Sequence, residues 1–224
     1  MRISIYGSLV NIARENLALA LSCQKMLEPL SEKLASLTGD DADYCRDVEI
    51  GSVKNKLSNY CLVTIVFAAL AVEGYIYDYA ARNLSDRFVD QHLDRLDVVS
   101  KWVVIPNLIT GQDFPKEGNA FRLLKQLIKN RNYIVHNKST QLLSTDEKIS
   151  EEISLLAFSG AANKMVEFND SILEKAEEAI ITLDELAVVM ESLDPNEYTS
   201  TFFNSPVGRA KQQWEQYGFW PFGH

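Results

Sequence analysis

Helix breakers are scarce in this sequence. Six prolines and ten glycines in 224 residues leave room for long helices, exclude a collagen-like chain and argue against a turn-rich β-barrel. Cysteine is scarcer still. Cys23, Cys45 and Cys61 are an odd number at wide spacings, with no CxxC or Cys/His zinc pattern. They read as reduced thiols of a cytoplasmic protein rather than a disulfide framework. Histidine occurs only at His92, His136 and His224. Gly-rich phosphate loops, a GxSxG elbow, HExxH and EF-hand loops are all missing, so the functions those motifs carry have no support here.

Long apolar runs are missing as well. The N-terminal stretch is interrupted by Asn11, Arg14, Glu15 and Asn16, unlike a signal peptide. The longest nearly apolar run, Cys61 to Val72, contains Thr64 and ends at Glu73; it is too short to span a bilayer. The expectation is a soluble cytoplasmic protein without membrane contact. Positive charge is in deficit, with 22 Lys and Arg against 31 Asp and Glu, a net charge of −9 and a pI near 4.9. Such a surface repels polyanions at long range, which excludes bulk non-specific nucleic-acid binding.

What is present is enough apolar material for a core: 46% of residues are hydrophobic, in a chain long enough to fold without disulfides or metals. Five helical stretches are expected. The first covers about 4–37, with Pro29 suggesting a kink or break. An acidic loop follows from Gly39 to Asp47. The second covers about 53–83 and is apolar nearly all round from Cys61 to Val72, as the central helix of a bundle is. Its Ala68 and Ala69 would let a neighbour approach closely. The third covers about 85–105 and is stopped by Pro106, with a loop to Gly118. The fourth covers about 119–136, with Asn137 as its C-terminal cap. The last covers about 163–193, stopped by Asp194 and Pro195.

Beyond it lies a tail without clear helical period, holding Tyr198, Phe202, Phe203, Trp214, Tyr217, Phe219, Trp220 and Phe222. So many aromatics are expected to pack on the chain's own body or on a partner. The expected architecture is all-α: an up-down helical bundle over 1–193 and an irregular aromatic-rich C-terminal tail over 194–224.

The fourth helix carries an unusual charge balance. From Lys116 to Lys138 six cations face one acid, a local charge of +5 in a chain of −9. This points to an anionic ligand, with a basic face paired to the acidic remainder of the fold as the plain alternative. Arg131 stands apart from the other cations, because its helical-spacing neighbours are Leu124, Leu127, Ile128, Ile134 and Val135. An arginine on an apolar stripe must be paired or face a cleft. Glu73 has equally apolar neighbours on the second helix, so a Glu73–Arg131 ion pair between central helices is expected. As a buried structural pair it would cost on the order of 3–5 kcal/mol to break.

His136 follows Arg131 by five residues, about 140° round an ideal helix, and Asn132 lies one turn before it. His136 also fits a plain helix-terminal histidine favoured by the dipole. His92, near Asp90 and Asp94, reads as a solvated helix face rather than a metal site.

The segment Arg131 to His136, RNYIVH, resembles the Arg-polar-x3-His motif of the HEPN superfamily of α-helical domains. The likeness extends over FAALAVEGYIYDYAA with Glu73, then DRLDVVSKW, IPNLITGQDF and LLKQLIKNRNYIVHNKS, about 53–139. The tail lies outside it. The resemblance implies a metal-independent endoribonuclease acting as a homodimer, without cofactor, as a toxin or defence component with an antitoxin protein as a further partner.

On that resemblance His136 would be general acid or base for 2′-OH attack, which an imidazole suits. Arg131 would stabilise charge building on the phosphorane. Asn132 would orient His136 or hold a phosphate oxygen. Lys125, Lys129 and Lys138 would extend the phosphate path, and Glu73 would anchor Arg131. Two alternatives stand beside it: a non-catalytic HEPN module binding nucleotide, RNA or a partner protein, and a structural helical scaffold.

Overall fold

The computed structural model describes residues 5–35, 42–136 and 168–196. Within them the chain is helical, with no strand. The elements are α1 (Tyr6–Ala35), α2 (Ala42–Leu84), a single turn α3 (Asp86–Phe88), a π-helical turn (Val89–Leu93), α4 (Val98–Thr110), α5 (Asn119–Val135) and α6 (Ile172–Leu193). The all-α bundle expected from periodicity is the architecture found.

Helix α2 is the axis, because its residues 61–81 are small or apolar on every face that meets a neighbour. Ala68, Ala69, Ala71, Val72, Tyr75, Ile76 and Tyr79 are buried. α1 lies antiparallel along it: Tyr6 meets Tyr75 edge-on at 5.5 Å, and Thr64 Oγ1 donates to the Ala13 carbonyl at 3.2 Å. A Cβ placed on Gly74 would sit 3.4 Å from that of Tyr6, in van der Waals contact, so α1 and α2 leave little free space between them here. α6 closes the third side through Leu183, Leu186 and Met190, all buried, and through an ion pair from Arg14 to Asp184 at 2.6 Å. Burial pushes the Asp184 carboxyl up from its ordinary value, and Arg14 works against that rise.

An aromatic chain crosses the bundle and carries order to α5. Tyr75 packs on Trp102 at 5.6 Å, Trp102 on Phe114 at 6.3 Å, and Phe114 on Phe121 in the first turn of α5 at 6.1 Å. Trp102 also donates its indole N–H to the Val72 carbonyl at 3.2 Å. That bond gives the buried indole its polar partner and ties α4 to α2 immediately before Glu73.

Three boundary expectations fail, and of the kink or break expected at Pro29 the break is absent. The acidic loop expected over Gly39 to Asp47 is already helix from Ala42. Pro29 does not break α1; it is exposed, so water can satisfy the backbone carbonyl that its missing N–H leaves.

The expected third helix is interrupted instead of continuous. Ser85 takes the positive φ of 83° that an L-residue adopts only under constraint, and a π-helical turn and an irregular step follow before α4. Pro106 does not stop α4. The helix runs on to Thr110 and ends where Gly111 turns left-handed at φ 74°, because proline's own φ is helical while glycine alone reverses the chain without cost.

The last helix runs from Ile172, preceded by a helical turn at 168–170 and a turn at Ser171. Its expected start at 163–167, Asn137, Lys138 and the aromatic tail beyond Asn196 lie outside the described residues. Residues 48–84 are long and apolar enough to cross a membrane by length and composition, and half of their most apolar window is buried among the other helices.

Candidate functional site

Helix α5 sorts its residues cleanly by face. Ala120, Leu123, Leu124, Leu127 and Asn130 are buried, while Arg122, Lys125, Lys129, Asn132 and His136 are exposed. The exposed five fall at i, i+3, i+7, i+10 and i+14, one stripe of a 3.6-residue helix. Buried Asn130 accepts from Gln126 at 2.9 Å, which gives its side-chain oxygen a partner within α5. Tyr133 packs at a tilt on Phe168, ring centroids 4.5 Å apart, and pins the last turn from the other side.

Arg131 lies between the two faces. Its Nη2 donates to Glu73 Oε2 at 3.1 Å and its Nη1 to Asn132 Oδ1 at 2.9 Å. The side chains of Arg131 and Glu73 are 23% and 38% exposed. The pair is therefore not a buried core pair, and the cost expected for breaking one does not apply; the boundary position arises because α5 ends beside α2 at the rim of the bundle. Asn132 supplies the geometric link. It neighbours Arg131 in sequence and lies one turn from His136, so it brings the guanidinium toward the exposed stripe despite the ~140° between positions 131 and 136. His136 is the C-terminal cap of α5, its backbone N–H donating to the Asn132 carbonyl at 2.9 Å.

Around this end of α2 the polar groups are engaged. One turn beyond Glu73, Tyr77 donates to Asp90 Oδ1 at 2.7 Å. That bond, with some burial and the charges of Asp90, Asp86 and Asp94, raises the phenol's pKa. The His92 ring packs on Phe88 at 4.9 Å, and Lys101, buried, reaches Asp94 at 3.9 Å. Among the described residues no group of three or more His, Cys, Asp or Glu side chains could hold a metal ion.

The structure thus brings Glu73, Arg131 and Asn132 into direct contact, and sets Lys125, Lys129 and His136 on the face that Asn132 shares. Lys138 lies outside the described residues. Sequence reasoning did not place Arg122 in the site, although its spacing to Lys125 and Lys129 was a readable signal. Arg122 bonds Asn119 Oδ1 at 3.1 Å and approaches Glu178 at 3.9 Å. Trp102 and Tyr133 are anchors that no local sequence pattern marks. Comparisons with family descriptions, with curated proteins and with solved structures return no match for this chain.

Proposed function

We propose that this protein is a metal-independent endoribonuclease of the HEPN type. The observation that carries the proposal is the contact from Arg131 Nη1 to Asn132 Oδ1 at 2.9 Å, on the stripe that also holds Lys125, Lys129 and His136. An exposed basic stripe ending in an imidazole suits a phosphodiester backbone, where each neutralised phosphate releases counterions. The resemblance of RNYIVH to the HEPN motif supplies the chemistry.

In this reading His136 takes the proton of a ribose 2′-OH as the oxygen attacks the adjacent phosphorus, or returns a proton to the departing 5′-oxygen. Arg131 retains three N–H donors beyond the two committed to Glu73 and Asn132, and these stabilise the phosphorane oxygens. The P–O5′ bond breaks as the P–O2′ bond forms, leaving a 2′,3′-cyclic phosphate and a 5′-hydroxyl. Lys125 and Lys129, with Lys138 beyond the cap, extend the path of the strand. A homodimer would set two such sites facing one cleft, and an antitoxin would be a protein that covers it.

The test is cleavage of a single-stranded RNA in the presence of a chelator. Cleavage with cyclic-phosphate ends, abolished by His136→Ala and by Arg131→Ala while the helical fold persists, is the expected result. Cleavage that survives in the double variant, or that stops on chelation, defeats it.

A second reading, RNA or nucleotide binding without turnover, is favoured by the same guanidinium, whose two terminal nitrogens both hold partners within the chain. Saturable binding without any product would establish it.

A further inference from the structure

Helix α6 presents solvent with a stripe that no other described helix covers. Glu174, Glu177, Ile181, Glu185 and Val188 fall at i, i+3, i+7, i+11 and i+14, one line along the helix. Ile181 and Val188 are 48% and 62% exposed, and Glu185 is half-exposed. Single exposed aliphatics are ordinary. Two of them, seven residues apart and set between carboxylates, form a mixed apolar and anionic track. Among the described residues Glu174, Glu177 and Glu185 show no ion pair, whereas Asp184 on the inward side is held by Arg14. The only cation in α6, Lys175, is spent on Ser171 and on the ring of Phe168 at 5.1 Å.

A ligand for this track must be apolar, preferably aromatic, and cationic. The chain carries such a segment beyond the end of the same helix. Residues 201–224 hold Arg209 and Lys211 against Glu215 in a protein of net charge −9, together with seven aromatic residues. Ala210, Trp214 and Tyr217 recur at i, i+4 and i+7, the spacing of a single apolar helix face.

Reach is ample. α6 has 22 residues, about 33 Å at about 1.5 Å each. The chain runs from Asn196 to His224 at up to about 3.3 Å per residue. Arg209 and Lys211 lie two residues apart, and this local pair of cations is better matched by the acidic track than by the basic stripe of α5. We propose that the exposed track of α6 is the docking surface for the chain's own C-terminal segment 201–224, with Ile181 and Val188 meeting its aromatics and Glu177 and Glu185 meeting Arg209 and Lys211.

The test uses the full chain. Trypsin cleavage after Arg209 and Lys211 is timed in the wild type and in Ile181→Lys/Val188→Lys. Because cleavage follows the population of undocked segment, the variant is expected to be cut about tenfold faster, with an unchanged thermal unfolding curve. Equal rates overturn the proposal.

Zero-length carbodiimide cross-linking of the wild type checks the partner assignment independently of any substitution. Lys211 is expected to join Glu177 or Glu185 within a single chain. Lys211 joined only between two chains, or only to carboxylates off α6, overturns it.

Discussion

Arg131 donates to Glu73 across the α5–α2 contact at 3.1 Å, at the rim of the bundle and not in its core. Both side chains keep part of their surface in water. The pair therefore gains less from Coulomb attraction than a buried one and loses less on removal. Its value lies in orientation: with one end of the guanidinium held by Glu73, the other is directed to Asn132 and the exposed face of α5.

Glu73→Ala is expected to lower stability by about 1 kcal/mol, in the range of partly exposed pairs. A double-mutant cycle with Arg131→Ala in denaturant titration measures the coupling directly. A loss above about 3 kcal/mol would mean that the charge left behind is buried.

Asn132→Ala removes the acceptor that holds Nη1 of Arg131. Stability should change by less than about 0.5 kcal/mol, as for most exposed substitutions. RNA cleavage should fall at least about tenfold, a loss of about 1.4 kcal/mol of transition-state stabilisation. Asn132→Asp, which keeps an acceptor at the same place, is expected to recover part of the rate. Equal activity in all three proteins would remove Asn132 from the site.

Lys125→Ala and Lys129→Ala should weaken RNA binding with little regard to base sequence. Each lost phosphate contact lowers the slope of log affinity against log salt by about 0.7 on a single strand, so the double variant should lose about 1.4 units of slope. An unchanged slope would show that the strand does not follow this stripe.

Asp97 caps α4, accepting from the Ser100 backbone N–H at 3.1 Å. The side-chain and backbone bonds from Ser100 hold its carboxyl below the ordinary carboxylate range. A depressed carboxyl contributes stability that is present above its unfolded pKa and lost as pH falls through the folded one. Asp97→Ala should cost about 1 kcal/mol at neutral pH, as other cap removals do. The difference should shrink as pH falls through that range, followed by thermal unfolding at successive pH values. A pH-independent difference would leave the cap without an electrostatic part.

Burial pushes the Cys61 thiol up to about 12, with the Glu177 charge adding to the rise. The thiolate is the reactive form, so at pH 8 iodoacetamide should label Cys61 only as fast as the bundle opens. Peptide mass mapping with and without denaturant checks this. Fast labelling of the native protein would show that the contact of α1, α2 and α6 is loose.

Much of this arrangement was readable beforehand. The apolar periods of residues 57–80 and 119–136 named two core helices, and the isolation of Glu73 and Arg131 among aliphatics marked them as partners before any distance was known. Helix boundaries are less legible. Pro29 and Pro106 look like helix stops in a sequence, yet the stops are Ser85, with its positive φ, and Gly111. Whether a missing N–H matters depends on what surrounds it, which a local window does not contain.

The sequence alone determined that this chain makes helices, which faces of them are apolar, and that α5 carries cations on one side. These follow from the 3.6-residue period and from the transfer of apolar surface out of water. Only the tertiary structure decided that the Glu73–Arg131 pair sits at the rim and that Asn132 turns the guanidinium outward. It also decided that Trp102 ties α4 to the turn before Glu73. Those outcomes depend on the depth and crossing of whole helices, which are set by packing between residues far apart in the chain, and no local pattern encodes them.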